Sequence, residues 1–176
     1  HCALLCACVR ACVRQSMHHM SALRLNNYPE LAAAPQPGQL RAGEHCDYGS
    51  LTILMPHQMA ADSPVGADGL QVFSQGEWRN VQVPPDTFVI NIGDLMARWT
   101  NDRWQSTLHR VVVPDESATH TPRRMSLAFF HQPDWEAVVD ALPSCIREGE
   151  QRRHAPTTAG LHIKEKFEAA GVTIEA

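Results

Sequence analysis

The run His45-Cys46-Asp47-Tyr48-Gly49-Ser50-Leu51-Thr52-Ile53-Leu54-Met55 decides the fold. Its second part, Ser50 to Met55, is short, apolar and β-branched, which is the composition of a strand. Its first part sets an imidazole and a carboxylate two residues apart. On an extended chain such residues point to one face, so His45 and Asp47 present their side chains together. One His plus one carboxylate is two-thirds of the facial triad that holds iron(II) with coordination positions left open. In a chain with ten His, an isolated H-x-D is a weak signal. The pair needs a third ligand from elsewhere.

Outward from this run the punctuation is Gly and Pro, and the stretches between are strand-like. Leu23–Tyr28, Leu70–Phe73, Thr87–Ile92, Leu108–Val113 and Arg124–Phe130 are rich in β-branched, aromatic and other apolar residues. Turn residues such as Pro84-Pro85-Asp86 and Gly93-Asp94 bound them. Short strands at this spacing predict a mainly β chain, an antiparallel sandwich or jelly roll. Residues 56–69 form a long, weakly patterned loop, and no internal repeat is visible.

His109 lies in Ser106-Thr107-Leu108-His109-Arg110-Val111-Val112-Val113, where it shares a face with Val111 and Val113 while Arg110 looks outward. An inward His in an apolar strand is ordinarily a hydrogen-bonded core residue, and becomes a ligand only where other ligands converge on it. His120, in Thr119-His120-Thr121-Pro122, competes for that role but reads as an exposed loop tip. Arg124 and Ser126 form a second i, i+2 pair, continued by Ala128 and Phe130. The guanidinium fork suits a carboxylate, and the hydroxyl can add a bond to the same group. The plain alternative is a surface Arg on an edge strand.

The remaining features are quieter. At 176 residues the chain has the size of one globular domain, with 44% hydrophobic and 19% charged residues. Its net charge of −4 advertises no basic surface for nucleic acid or anionic membrane. No apolar run approaches the ~20 residues of a membrane span. Four of the six Cys crowd between Cys2 and Cys12, without the C-x-x-C pairs of zinc or iron–sulfur sites. Cys2, Leu5, Val9 and Cys12 instead fall at helical spacing, so residues 1–20 read as a helical remnant. Cys46 and Cys145 stand alone, which points to a reducing, cytoplasmic compartment. After a polar connector, Leu161–Ala170 reads as a packing helix with Ile163 and Phe167 on one face, Thr157 or Thr158 as cap and Gly171 just beyond its end. Three parts result: 1–20, a jelly-roll domain over 21–143, and a connector with closing helix over 144–176.

From Leu23 to about Leu142 the chain resembles the 2-oxoglutarate- and iron(II)-dependent oxygenases of the isopenicillin N synthase-like branch. The matching blocks are L-R-L-N-N-Y-P (23–29), H-C-D-Y-G-S-L-T-I-L (45–54), G-L-Q-V (69–72), N-I-G-D-L-M-A-R-W-T-N (91–101), S-T-L-H-R-V-V (106–112) and R-M-S-L-A-F-F (124–130). The resemblance implies a double-stranded β-helix (jelly roll) with flanking N- and C-terminal helices and Fe(II) held by His45, Asp47 and His109. It implies that Arg124 and Ser126 bind the distal carboxylate of the co-substrate 2-oxoglutarate, with further contacts from Asn26 and Tyr28. Phe130 then lines the pocket of a small-molecule substrate, while Arg41 and Trp99 are structural. The implied reaction couples O2 and oxidative decarboxylation of 2-oxoglutarate, giving succinate and CO2, to hydroxylation, desaturation or cyclisation.

Departures from the family pattern are specific. Cys46 replaces the usual Thr between the two ligands and is expected to point away from the metal. Asn27 replaces an aromatic, and both the 56–69 loop and the stretch from His109 to Arg124 are long. Family members are also about twice this length, and the N-terminal half is missing. An oxidase that uses the same triad without 2-oxoglutarate, or an inactive half-domain, therefore stands beside the main reading. A zinc hydrolase is more distant, because no general base is placed beside the ligands.

Overall fold

The structure, a computed structural model, describes residues 16–56, 69–113 and 123–173. The helical reading of Cys2 to Cys12, the 57–68 stretch of the long loop and His120 lie outside these residues. Within the described residues, ten strands and two helices follow in order. They are β1 (Ala22–Tyr28), β2 (Leu40–His45), β3 (Leu51–Met55), β4 (Leu70–Ser74), β5 (Glu77–Asn80), β6 (Val89–Ile92), α1 (Asp94–Trp99), β7 (His109–Val112), β8 (Arg124–His131), β9 (Val138–Val139), β10 (Thr157–Thr158) and α2 (Ala159–Ala169). A 3-10 turn occupies Pro143–Cys145.

Eight strands make two antiparallel four-stranded sheets, ordered β1-β8-β3-β6 and β2-β7-β4-β5. β9 and β10 pair separately. This is the expected jelly roll. Arg124 is not on an edge, since β8 lies between β1 and β3.

The first sheet reverses the usual polarity. Along β1 and β8, Arg24, Asn26, Tyr28, Arg124 and Ser126 look into the space between the sheets, together with Ala128 and Phe130. The outward positions are mostly apolar: Leu23 pairs with Phe129, Phe129 with Ile53, and Ile53 with Ile90. Leu25 is 60% and Ile90 65% exposed on that outer face. A core-forming sheet would put its apolar residues inside. Here β1 and the first half of β8 turn polar side chains inward instead.

The dry core sits beside the sandwich instead. Leu95, Met96 and Trp99 of α1 pack with Val139, Cys145, Ala159 and Ile163, and Tyr48, Ile92 and Phe167 close around them. Trp99 donates its indole N–H to the Val138 carbonyl at 3.2 Å, so its role is structural as expected. Arg41 is structural too, reaching from β2 to the Pro29 carbonyl.

Several elements depart from the sequence reading. Gly93-Asp94 marks not just a turn but the start of α1, with extended Gly93 as N-cap. β2 has a Gly and charged residues, and is a strand because it pairs with β7 across two register irregularities. β5 is polar and joins β4 through Gln75 and Gly76, both at positive φ, the tight hairpin geometry that favours Gly. α2 begins two residues earlier than expected, capped by Thr158, whose hydroxyl accepts from the Leu161 N–H at 3.3 Å. Gly160 lies inside it because the Trp135 indole leaves no room for a side chain there: an added Cβ would fall 2.2 Å from the ring. Gly171, at φ +80°, ends the helix as read.

Candidate functional site

The H-x-D run bridges two elements. His45 is the last residue of β2, opposite His109, the first residue of β7. Asp47 follows in a short loop clamped by the first turn of α1. Asp94 N–H donates to the Asp47 carbonyl at 2.8 Å, Leu95 N–H to that of Gly49 at 3.0 Å, and Gly93 N–H to that of Ser50 at 3.0 Å. These amides have no partner within the helix, so the clamp satisfies them while fixing the loop that carries Asp47. The packing is close: a Cβ on Gly93 would fall 2.3 Å from the Gly49 carbonyl oxygen.

The three side chains converge. Asp47 Oδ1 lies 3.8 Å from His45 Nε2 and 3.7 Å from His109 Nε2, and the imidazole centroids are 4.3 Å apart. Among the described residues this is the group of His, Cys, Asp or Glu able to share one ion, with all donor atoms within 4.8 Å of one another. Each ring is oriented by the backbone. His45 Nδ1 donates to the Gly43 carbonyl at 2.8 Å, and His109 Nδ1 donates to the Thr107 carbonyl at 2.9 Å. A carbonyl can only accept, so Nδ1 carries a proton, and in the neutral ring Nε2 is the nitrogen that keeps its lone pair.

Asp47 is 6% exposed and one of its oxygens is already satisfied. Oδ2 accepts from Asn91 Nδ2 at 2.6 Å and from the Thr52 hydroxyl. Oδ1 is left facing the two Nε2 atoms, too far from them for hydrogen bonds. With both rings neutral, their Nε2 lone pairs and the carboxylate oxygen face one point and repel unless a cation lies between them. The donor set fits a divalent ion with imidazole–carboxylate preference. Thr52 and Asn91 escaped the sequence reading, although each is a hydrophilic residue facing inward from an otherwise apolar strand.

The other predicted residues gather further along the same cavity, about 890 Å³ including its open mouth. The β1–β8 register sets Tyr28 opposite Arg124 and Asn26 opposite Ser126. The Arg124 guanidinium lies 4.4 Å from the centre of the Tyr28 ring, and Asn26 Nδ2 donates to Ser126 Oγ at 3.4 Å. Leu54, Leu70, Val72, Val111 and Phe130 supply apolar wall. Arg110 faces away, where it pairs with Glu44 at 3.0 Å and stacks on Trp78.

Cys46 also faces away. Its thiol reaches toward the Ser106 carbonyl at 3.6 Å, and burial pushes its pKa up. On that side Asp94 meets His162 Nε2 at 3.6 Å and Lys166 Nζ at 2.8 Å. Burial alone raises the Asp94 pKa, but the imidazole and ammonium outweigh it and hold the carboxyl well below the usual range. Among the described residues no helix is long and apolar enough to cross a membrane.

Comparison with known proteins bears on this geometry. A family profile described as the 2OG-Fe(II) oxygenase superfamily matches residues 20–133. The chain is 38% identical over 156 residues to the 2-oxoglutarate-dependent dioxygenase htyE of Aspergillus rugulosus, covering 84% of this chain and 45% of that one. It is 38% identical over 144 residues to gibberellin 20 oxidase 1 of Arabidopsis thaliana, covering 82% and 34%. Among solved structures, a full-length Neurospora crassa protein in complex with alpha-KG superposes with a TM-score of 0.73 at 35% identity, covering 85% of this chain and 44% of that one. The chain thus spans about half the length, or less, of the curated relatives it matches.

Proposed function

The chain belongs to the 2OG-Fe(II) oxygenase superfamily, and on that premise we propose that it is the metal- and co-substrate-binding part of a 2-oxoglutarate- and Fe(II)-dependent dioxygenase acting on a small molecule. The observation that carries this is the meeting of His45 Nε2, Asp47 Oδ1 and His109 Nε2, two of them freed by protonated Nδ1 partners and the third by a satisfied Oδ2. These three residues would hold the ferrous ion. When bound, it supplies the redox chemistry that couples O2 and the decarboxylation of 2-oxoglutarate to succinate and CO2 with hydroxylation, desaturation or cyclisation of the substrate.

The protein's own residues do the rest. Arg124 offers its fork, and Ser126 its hydroxyl, to the distal carboxylate of 2-oxoglutarate. Tyr28 supports the guanidinium from below, and Asn26 orients the Ser126 hydroxyl. The aliphatic wall keeps water from the reacting end, and Phe130 presents an aromatic surface to the substrate. Relatives named as 2-oxoglutarate-dependent favour this co-substrate over an oxidase that dispenses with it. The division into a jelly roll over 21–143 and a connector with closing helix over 144–176 belongs to the same reading. So does a cytoplasmic setting, supported by the free thiols of Cys46 and Cys145.

The test is anaerobic titration with Fe(II), followed by 2-oxoglutarate, and then oxygen-electrode and succinate assays. Saturable iron binding, a weak visible band on adding 2-oxoglutarate, and succinate release are expected. Oxygen consumption indifferent to 2-oxoglutarate would overturn the reading.

A further inference from the structure

Arg24 has no role in the chemistry described so far, yet its side chain lines the same cavity, where it is exposed to entering solutes. It stands on β1 opposite Ala128, whose methyl group leaves space beside it. Its guanidinium lies 5.5 Å from the centre of the Phe130 ring. Among the described residues no hydrogen bond or ion pair engages it. One step along the strands in one direction lies the row of Phe130 and Thr52, which reaches Asp47; one step in the other lies Ser126. Arg24 therefore sits laterally between the two ends of the co-substrate site.

Charge gives the second argument. Counting His as neutral, the described cavity wall carries formal charge only at Arg24, Arg124 and Asp47. A ferrous ion and the 2-oxoglutarate dianion cancel each other, and Arg124 offsets Asp47. One positive charge is left, at Arg24. A molecule filling the cavity takes water away from that guanidinium, which is costly unless the molecule brings an anion, and the planar fork is matched to a carboxylate.

We infer that the substrate is a carboxylic acid, bound as its monoanion with the carboxylate on Arg24 and its adjoining carbon skeleton against Phe130. This rests on the 2-oxoglutarate reading and adds the substrate class to it. Arg24 is in this view a specificity residue that holds the acid while the skeleton extends toward the metal ligands.

The test uses the full chain, loaded anaerobically with Fe(II) and saturating 2-oxoglutarate so that Arg124 is occupied. Phenylacetate, indole-3-acetate and decanoate are each titrated against the corresponding primary amide, with binding read by saturation-transfer NMR. At least one acid is expected to bind about tenfold or more tightly than its amide. Arg24→Gln should erase that difference, and Arg24→Lys should retain part of it. No preference for any acid, or a preference that survives Arg24→Gln, overturns the inference while leaving the co-substrate reading intact. Failure of 2-oxoglutarate to give its visible band overturns both.

Discussion

Asn91 Nδ2 stands 2.6 Å from Asp47 Oδ2, on the side of the carboxylate away from the two imidazoles. With the Thr52 hydroxyl it leaves Oδ1 as the oxygen that faces them. Asn91→Ala should weaken Fe(II) binding by about 10–100-fold, the usual effect of losing an outer partner of a ligand. Asp47→Ala should abolish binding. Anaerobic iron titration of both variants checks the order, and equal affinity of Asn91→Ala and the parent would show that Thr52 suffices alone.

Gly93 is the joint between α1 and the ligand loop. A methyl group there collides with the Gly49 carbonyl and presses on that of Asp47, which lies 3.0 Å from the added Cβ. Both neighbours are backbone, so the loop must move. Gly93→Ala should cost on the order of 1–3 kcal/mol in urea unfolding and lower metal affinity as well. A stability loss with unchanged iron binding would separate the clamp from the site.

Arg124 sits over the Tyr28 ring and addresses the cavity through a fork. Lysine retains the charge but neither the plane nor the paired donors. Arg124→Lys should raise the 2-oxoglutarate concentration needed for the visible band by about tenfold or more. An unchanged requirement would assign the distal carboxylate to another residue.

Acid should destabilise the fold in two stages. Burial, with the nearby His19, holds the His131 pKa below its ordinary value, so below about pH 6.5 the unfolded chain takes up a proton that the folded chain resists, and stability falls. Asp94 is depressed against its ordinary carboxylate value by His162 and Lys166. Its contribution is complete above about pH 4 and declines as pH drops further. Denaturant midpoints across this range should show both slopes, and Lys166→Met should flatten the lower one.

Cys46→Thr should be nearly silent in iron titration. The side chain points toward the Ser106 carbonyl, a bond a threonine hydroxyl can also donate. Loss of iron on that change would mean that position 46 acts on the ligands beside it.

The strands visible in the sequence are those whose own residues favour extension, such as Ser50–Met55 and Arg124–Phe130. β2 and β5 were not, because L-R-A-G-E-H and E-W-R-N become strands only through their partners. α1 was hidden by its six-residue length and by a Gly-Asp start that reads as a turn. The meeting of His45, Asp47 and His109 was accessible through the spacing of the first two and through the family resemblance that adds His109. Thr52, Asn91 and Arg24 carry no ligand signature of their own. Their facing becomes evident only once the register of the first sheet is known.

That register imposes a parity on two strands. On β1 and β8 the even-numbered positions Arg24 to Tyr28 and Arg124 to Phe130 reach the cavity, while the odd-numbered ones, Asn27 and His131 apart, form the greasy outer flank. A randomised library restricted to even letters would redraw selectivity and leave stickiness almost untouched; one restricted to odd letters would do the opposite. Solubility and chemistry can thus be engineered as separate alphabets written on the same two segments.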